Sequence, residues 1–210
     1  MPTVVEVIDL ITEWAKAEIC SKIRLKMPPK DDKESNSEGY DYTQIEPACF
    51  PFFFPSKDKL PPSIQSPFPA LCVRIIEGSD DLTANASSIV VEFCFSTWST
   101  GTHGKDILIP DKENNLHFKE WNNEEAEQYF ISNFGGWRDC WNWVDIALRA
   151  VRNSATIKEK VQIDRNTPVT YGAYTDQEDT IFNYPFWFAW LRFTVKRPLI
   201  KNIKEYNDLL

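Results

Sequence analysis

Few side chains in this 210-residue chain stand at spacings that do chemistry. The densest polar constellation is His103-Gly104-Lys105-Asp106, which His117 could join from the facing arm of a hairpin. Imidazoles and carboxylates are metal-ligand types, but a metal centre needs three or four converging ligands, and His103, His117 and Asp106 show no diagnostic spacing. Two histidines in polar loops read as solvated, so no metal is expected. Asp80-Asp81, flanked by Glu77 and Gly78, lacks the alternating oxygen ligands and closing Glu of an EF-hand loop and reads as a solvated turn. Glu92 lies among apolar strand residues, where burial would raise its pKa. A carboxyl tuned in that way could exchange protons near neutral pH, yet the sequence sets no histidine or nucleophile beside it.

The wider motif search is as bare. There is no phosphate-binding P-loop, no GxGxxG after a strand, no GxSxG elbow and no HExxH. The expectation is a protein without catalytic residues, cofactor or metal. Cys20, Cys49, Cys72, Cys94 and Cys140 are odd in number and form no CxxC pair, which suits free, mostly buried thiols in a reducing cytosol. In that compartment the sequon Asn85-Ala86-Ser87 has no meaning. A net charge of −8 and a pI near 4.9 argue against a phosphate backbone as partner, because such binding rests on clustered Lys and Arg. The longest apolar run, Phe186 to Leu191, is far below the roughly 20 residues that span a bilayer. Nor does Met1 lead into a basic, then greasy, leader; neither nucleic acid nor membrane is an expected partner.

The elements that would position any site follow from periodicity. Thr3-Val4-Val5-Glu6 fits a capping box, and Val4, Ile8, Ile11, Ala15, Ile19 and Ile23 continue at helical spacing until Pro28-Pro29. Ala70 to Glu77 and Ser88 to Trp98 read as strands, paired antiparallel because about ten residues are too few for a parallel crossover. Asp106 to Glu120 suggests a small hairpin, and Glu124 to Asn133 a short helix. Gly135-Gly136 opens a stronger helix whose stripe is Trp137, Cys140, Trp141, Val144, Ala147, Leu148 and Val151, with Trp143 and Ile146 off it. Ile157 to Ile163 and Thr167 to Tyr174 read as further strands. Tyr184 to Pro198 is the last, with Trp187, Ala189, Leu191, Phe193 and Val195 on one wholly apolar face, and Phe186, Phe188, Trp190, Arg192, Thr194 and Lys196 on the other. Trp190 is expected to be a buried aromatic.

This order predicts one α+β domain over 1–210: an antiparallel-rich mixed sheet with two main helices packed on one face, a peripheral hairpin and a long loop. The loop, 30–69, is charged and then Pro/Phe-rich, and 99–134 is an inserted excursion. Eight Trp and fourteen Phe make the chain competent to fold despite its fourteen prolines. Prolines keep the 47–69 stretch extended while its phenylalanines require an apolar cover, either the chain's own core or a neighbouring subunit.

Five segments in order, the N-terminal helix, PFPALCVRIIEGSDD (Pro67 to Asp81), SIVVEFCFSTWS (Ser88 to Ser99), GGWRDCWNWVDIALRAV (Gly135 to Val151) and YPFWFAWLRFTVKRP (Tyr184 to Pro198), give the chain a family likeness. It resembles the tail terminator, or tail completion, proteins of long-tailed bacteriophages and phage-like particles. The resemblance implies a virion protein that forms a hexameric ring on the tail tube, ends its polymerisation and presents the surface for head attachment. It implies as partners the same chain, the tail tube protein and a neck or head–tail connector protein, with sheath or tape-measure protein as further contacts. It places the protein at the tail–neck junction after assembly in the bacterial cytoplasm. A closing ring needs two different complementary patches per subunit. The surface candidates are Trp143 with Ile146, the segment with Phe52, Phe53 and Phe54, His103 in its excursion, and Arg192 with Lys196 at the polar end of the last strand. A Glu at 143 is expected to spare the monomer and abolish the ring. The rival readings are a head-closure or neck adaptor of the same assembly and a small cytosolic enzyme or ligand-binding module using the aromatic face.

Overall fold

The computed structural model describes residues 2–28, 43–56, 59–60, 64, 66–81, 83, 86–99, 108–110, 112–113, 116–118, 122, 124, 136–176, 179–180 and 185–198. The expected helix at 124–133, apart from residue 124, and most of the 99–134 excursion, including His103, lie outside them.

Helix α1 spans Val4–Glu18. Its capping box is present: the Glu6 N–H donates to Thr3 Oγ1 at 3.2 Å, and the Thr3 N–H to the Glu6 carboxylate at 2.6 Å. Val7, Ile8, Ile11, Trp14 and Ala15 are buried. The helix stops five residues earlier than the apolar spacing suggests. A 3-10 turn, Cys20–Lys22, follows, and Ile19 and Cys20 stay buried in that tightened backbone, so burial outlasts the helix.

The strands are β1 (Leu25–Lys26), β2 (Gln44–Ile45), β3 (Ala48–Pro51), β4 (Ala70–Asp81), β5 (Ala86–Trp98), β6 (Leu108–Pro110) and β7 (Leu116–Phe118). After helix α2 (Gly136–Asn153) come β8 (Thr156–Ile157), β9 (Val161–Ile163), β10 (Thr170–Ala173), β11 (Thr175–Asp176), β12 (Asp179–Thr180) and β13 (Phe186–Pro198). The main sheet runs β3-β4-β5-β13-β9-β8, with β10 also on β13. Every pairing in it is antiparallel except β3 with β4. Thus the fold is the expected α+β arrangement, a curled mixed sheet with two helices. Strands β6 and β7 form the small hairpin.

Three segments depart from their sequence reading. Gly78 to Asp81, read as a solvated turn, continues β4 as an exposed strand paired with β5. The Pro/Phe stretch is not all loop: Ala48–Pro51 adds a parallel strand at the sheet edge, the position where a proline is tolerated. The single strand expected at 157–163 is a tight hairpin, β8 to β9, because Lys158 and Glu159 adopt φ of 51° and 58° and reverse the chain.

Register assigns the two faces of the sheet. Leu71, Phe95 and Ala189 form one cross-strand row, Val73, Phe93 and Leu191 the next, and Ile75, Val91 and Phe193 a third. These rows face the helices and build an aromatic core: Phe93 packs edge-on to Phe193 at 5.0 Å and stacks with Trp14 at 6.3 Å, while Phe95 meets Trp143 edge-on at 5.2 Å. Helix α2 buries Gly136, Cys140, Trp143, Val144, Ala147, Leu148 and Val151. Its stripe is therefore rotated from the sequence reading: Trp137 is exposed and Trp143 is wholly inside.

Gly136 fixes the start of α2. A Cβ there would lie 2.6 Å from Trp187 Nε1 and 2.8 Å from Ser99 Cβ. Trp187 Nε1 donates to the Ser99 carbonyl at 3.1 Å, so the ring is not free to retreat. Gly136→Ala is expected to lower unfolding free energy by about 1–3 kcal/mol through overpacking. Chemical denaturation with an unchanged midpoint would contradict this close approach.

Candidate assembly surfaces

The sheet face away from the helices carries a charged row at its centre. Register sets Arg74, Glu92 and Arg192 side by side on β4, β5 and β13. The Glu92 side chain has no exposed surface, whereas those of Arg74 and Arg192 are 39% and 42% exposed. Arg74 Nε donates to Glu92 Oε1 at 2.7 Å and its Nη2 contacts the same oxygen. Arg192 Nε donates to Glu92 Oε2 at 2.5 Å, and its guanidinium lies 4.6 Å over the Trp190 ring. Trp190 is tied in turn by Nε1 donating to the Ala173 carbonyl at 2.9 Å.

Two weaker donors complete the Glu92 carboxylate: Cys94 Sγ at 3.3 Å and the Tyr174 hydroxyl at 3.4 Å, both to Oε1. Burial by itself would raise the Glu92 pKa, but the Arg192 and Arg74 hydrogen bonds outweigh it and hold the carboxyl below its ordinary 4.5. The raised pKa expected from the sequence is thus overturned, because the partners lie on other strands. Burial pushes the Cys94 thiol up to about 11 and the neighbouring Cys72 thiol to about 12. The Tyr174 hydroxyl is raised as well, again chiefly by burial. A carboxylate saturated with donors beside a protonated thiol is a poor base and nucleophile pair. The row's chemistry is instead to orient two guanidiniums.

Sequence reasoning found Arg192 but missed Arg74, Tyr174 and the role of Trp190. The usable signal was a charge inside the apolar stretch of each strand: Arg74 after Val73, Glu92 between Val91 and Phe93, and Arg192 between Leu191 and Phe193. Lys196 is also engaged, its Nζ 3.0 Å from Asp164 Oδ2. Trp190 is half-buried on this face rather than a core residue between sheet and helices.

The Pro/Phe segment divides into two parts. Phe50 is buried, Phe54 lies against Phe68 at 5.9 Å, and Phe68 against Phe186 at 5.1 Å. Phe52 and Phe53 remain 54% and 69% exposed at the end of edge strand β3. The Phe52 N–H donates to the Val73 carbonyl at 2.8 Å, and its φ of 66° turns the chain outward there. That conformation is uncommon for a bulky side chain.

Trp143 is not a surface residue: with none of its area exposed and its ring against Phe95, it belongs to the monomer core. Ile146 is half-buried and packs against the same core. This removes the pair as an intersubunit patch.

On the opposite layer, the solvent side of α1 forms an acidic cleft of about 320 Å³ lined by Pro2, Glu6, Asp9, Leu10, Glu13 and Lys160. Among the described residues no group of three or more His, Cys, Asp or Glu is arranged to hold a metal ion. No described helix is long and apolar enough to cross a membrane. The sequence matches no protein-family model and no curated protein.

Proposed function

We propose that this chain is the ring-forming terminator of a phage-type tail, capping the tail tube and giving the head its docking surface. The observation that carries the reading is the exposed pair Phe52 and Phe53 at an open sheet edge. Two large aromatics side by side in water are the kind of anchor that protein interfaces bury. Further support comes from where the likeness falls. The five resembling segments are α1, β4, β5, α2 and β13, the elements of the two-layer core, so the similarity covers a folded unit rather than scattered motifs.

The purified chain is expected to form ring-shaped particles by negative-stain microscopy and light scattering. Replacing Phe52 and Phe53 together with serine should leave stability within about 0.5 kcal/mol, as for other exposed sites. It should also disperse the rings, since interface anchors are each worth about 2 kcal/mol or more. Full-size rings from the double variant would remove this patch from the subunit interface.

A further inference from the structure

We infer that the Arg74 and Arg192 guanidiniums form a receptor for a carboxylate of a second copy of this chain, supplied by the acidic side of α1. The inference rests on the ring reading and names its electrostatic contact. Each guanidinium has five N–H donors. Arg74 engages Glu92 through Nε and Nη2, and Arg192 through Nε alone. The remaining donors, Arg74 Nη1 and both Nη atoms of Arg192, have no acceptor among the described residues, and both side chains reach solvent.

The occupant follows from charge. Two guanidiniums against one buried carboxylate leave a single positive charge, which one carboxylate balances and a phosphate dianion would exceed. Both guanidiniums reach solvent, so a lone small acid would gain only the weak energy of an exposed ion pair; a side chain carried by a protein surface brings the burial that strengthens it. In this acidic chain α1 presents such side chains on the opposite layer of the molecule. There Glu6 is used by the helix cap and Glu13 lies 3.6 Å from Lys158, whereas Asp9 is exposed and has no partner among the described residues. Receptor and donor on opposite layers are two different complementary patches, as a closed heterologous ring requires.

Two variants block the two halves. Arg74→Lys with Arg192→Lys keeps both charges for Glu92 but removes the planar forks. Asp9→Lys inverts the donor on an exposed helix position. Each variant alone is expected to weaken self-association tenfold or more and to run as a monomer where the wild type forms rings, a loss of about 1.4 kcal/mol per tenfold. Mixed together they should give dimers and no rings, because one intact contact remains per pair. Full rings from either variant would overturn the inference and leave the ring reading standing, as would a mixture that stays monomeric. Should the lysine pair fail to fold, Asp9→Lys decides alone: intact rings overturn the inference, lost rings sustain it. A wild type that never forms rings overturns both.

Discussion

Trp143→Glu is expected to abolish the folded domain, yielding insoluble protein or a chain without native near-ultraviolet circular dichroism. Trp143 has no exposed area and packs between α2 and Phe95 on β5. Truncating such an aromatic costs about 3–5 kcal/mol by itself. A carboxylate in the same place must either stay charged in an apolar site or take up a proton far above its usual pKa. Against a total stability of about 5–15 kcal/mol, the sum leaves little or nothing. Ile146→Glu, at a half-buried position, should be milder. A soluble Trp143→Glu protein with native spectra would return this residue to the surface and the interface.

Glu92→Gln is expected to be the next most damaging change, by about 3–5 kcal/mol, because it leaves two guanidiniums without the charge that compensates them. Arg74 and Arg192 are partly solvated, which places the loss toward the lower end. The same ion pairs predict acid sensitivity. The Glu92 pKa is lowered in the folded state, so its contribution is complete above the ordinary 4.5 and is lost as pH falls through the lowered value. Unfolding measured from pH 7 to 2 should therefore show a steeper fall below about 4.5 in the wild type than in Glu92→Gln. Parallel profiles would mean that the row contributes nothing to stability.

What the sequence made legible was periodicity. Alternation located β4, β5 and β13 and the apolar face of β13, and 3.6-residue spacing located α1 and α2. Trp143 was misplaced although its spacing from Cys140 and Ala147 is helical. The run Trp137, Trp141 and Val144 offers a competing stripe, and only packing chooses between them. The parallel edge strand β3 was hidden because prolines argue against strands except at edges, and edge position is a tertiary fact. The turn at Lys158 and Glu159 was hidden because neither residue favours a left-handed backbone. The arginine row was hidden for a simpler reason. Arg192 meets Glu92 across one hundred positions of sequence, and its register is fixed by hydrophobic patterning on the other face of the sheet.

The core and the charged row are built within one copy of the chain, whereas Phe52 and Phe53 remain exposed at its edge. Electron microscopy of tails assembled with and without this chain tests the account most directly. Tubes made without it are expected to grow past their normal length and to lack heads, and adding the chain should restore uniform tubes that end in a ring. Headed tails of normal, uniform length in its absence would contradict the account.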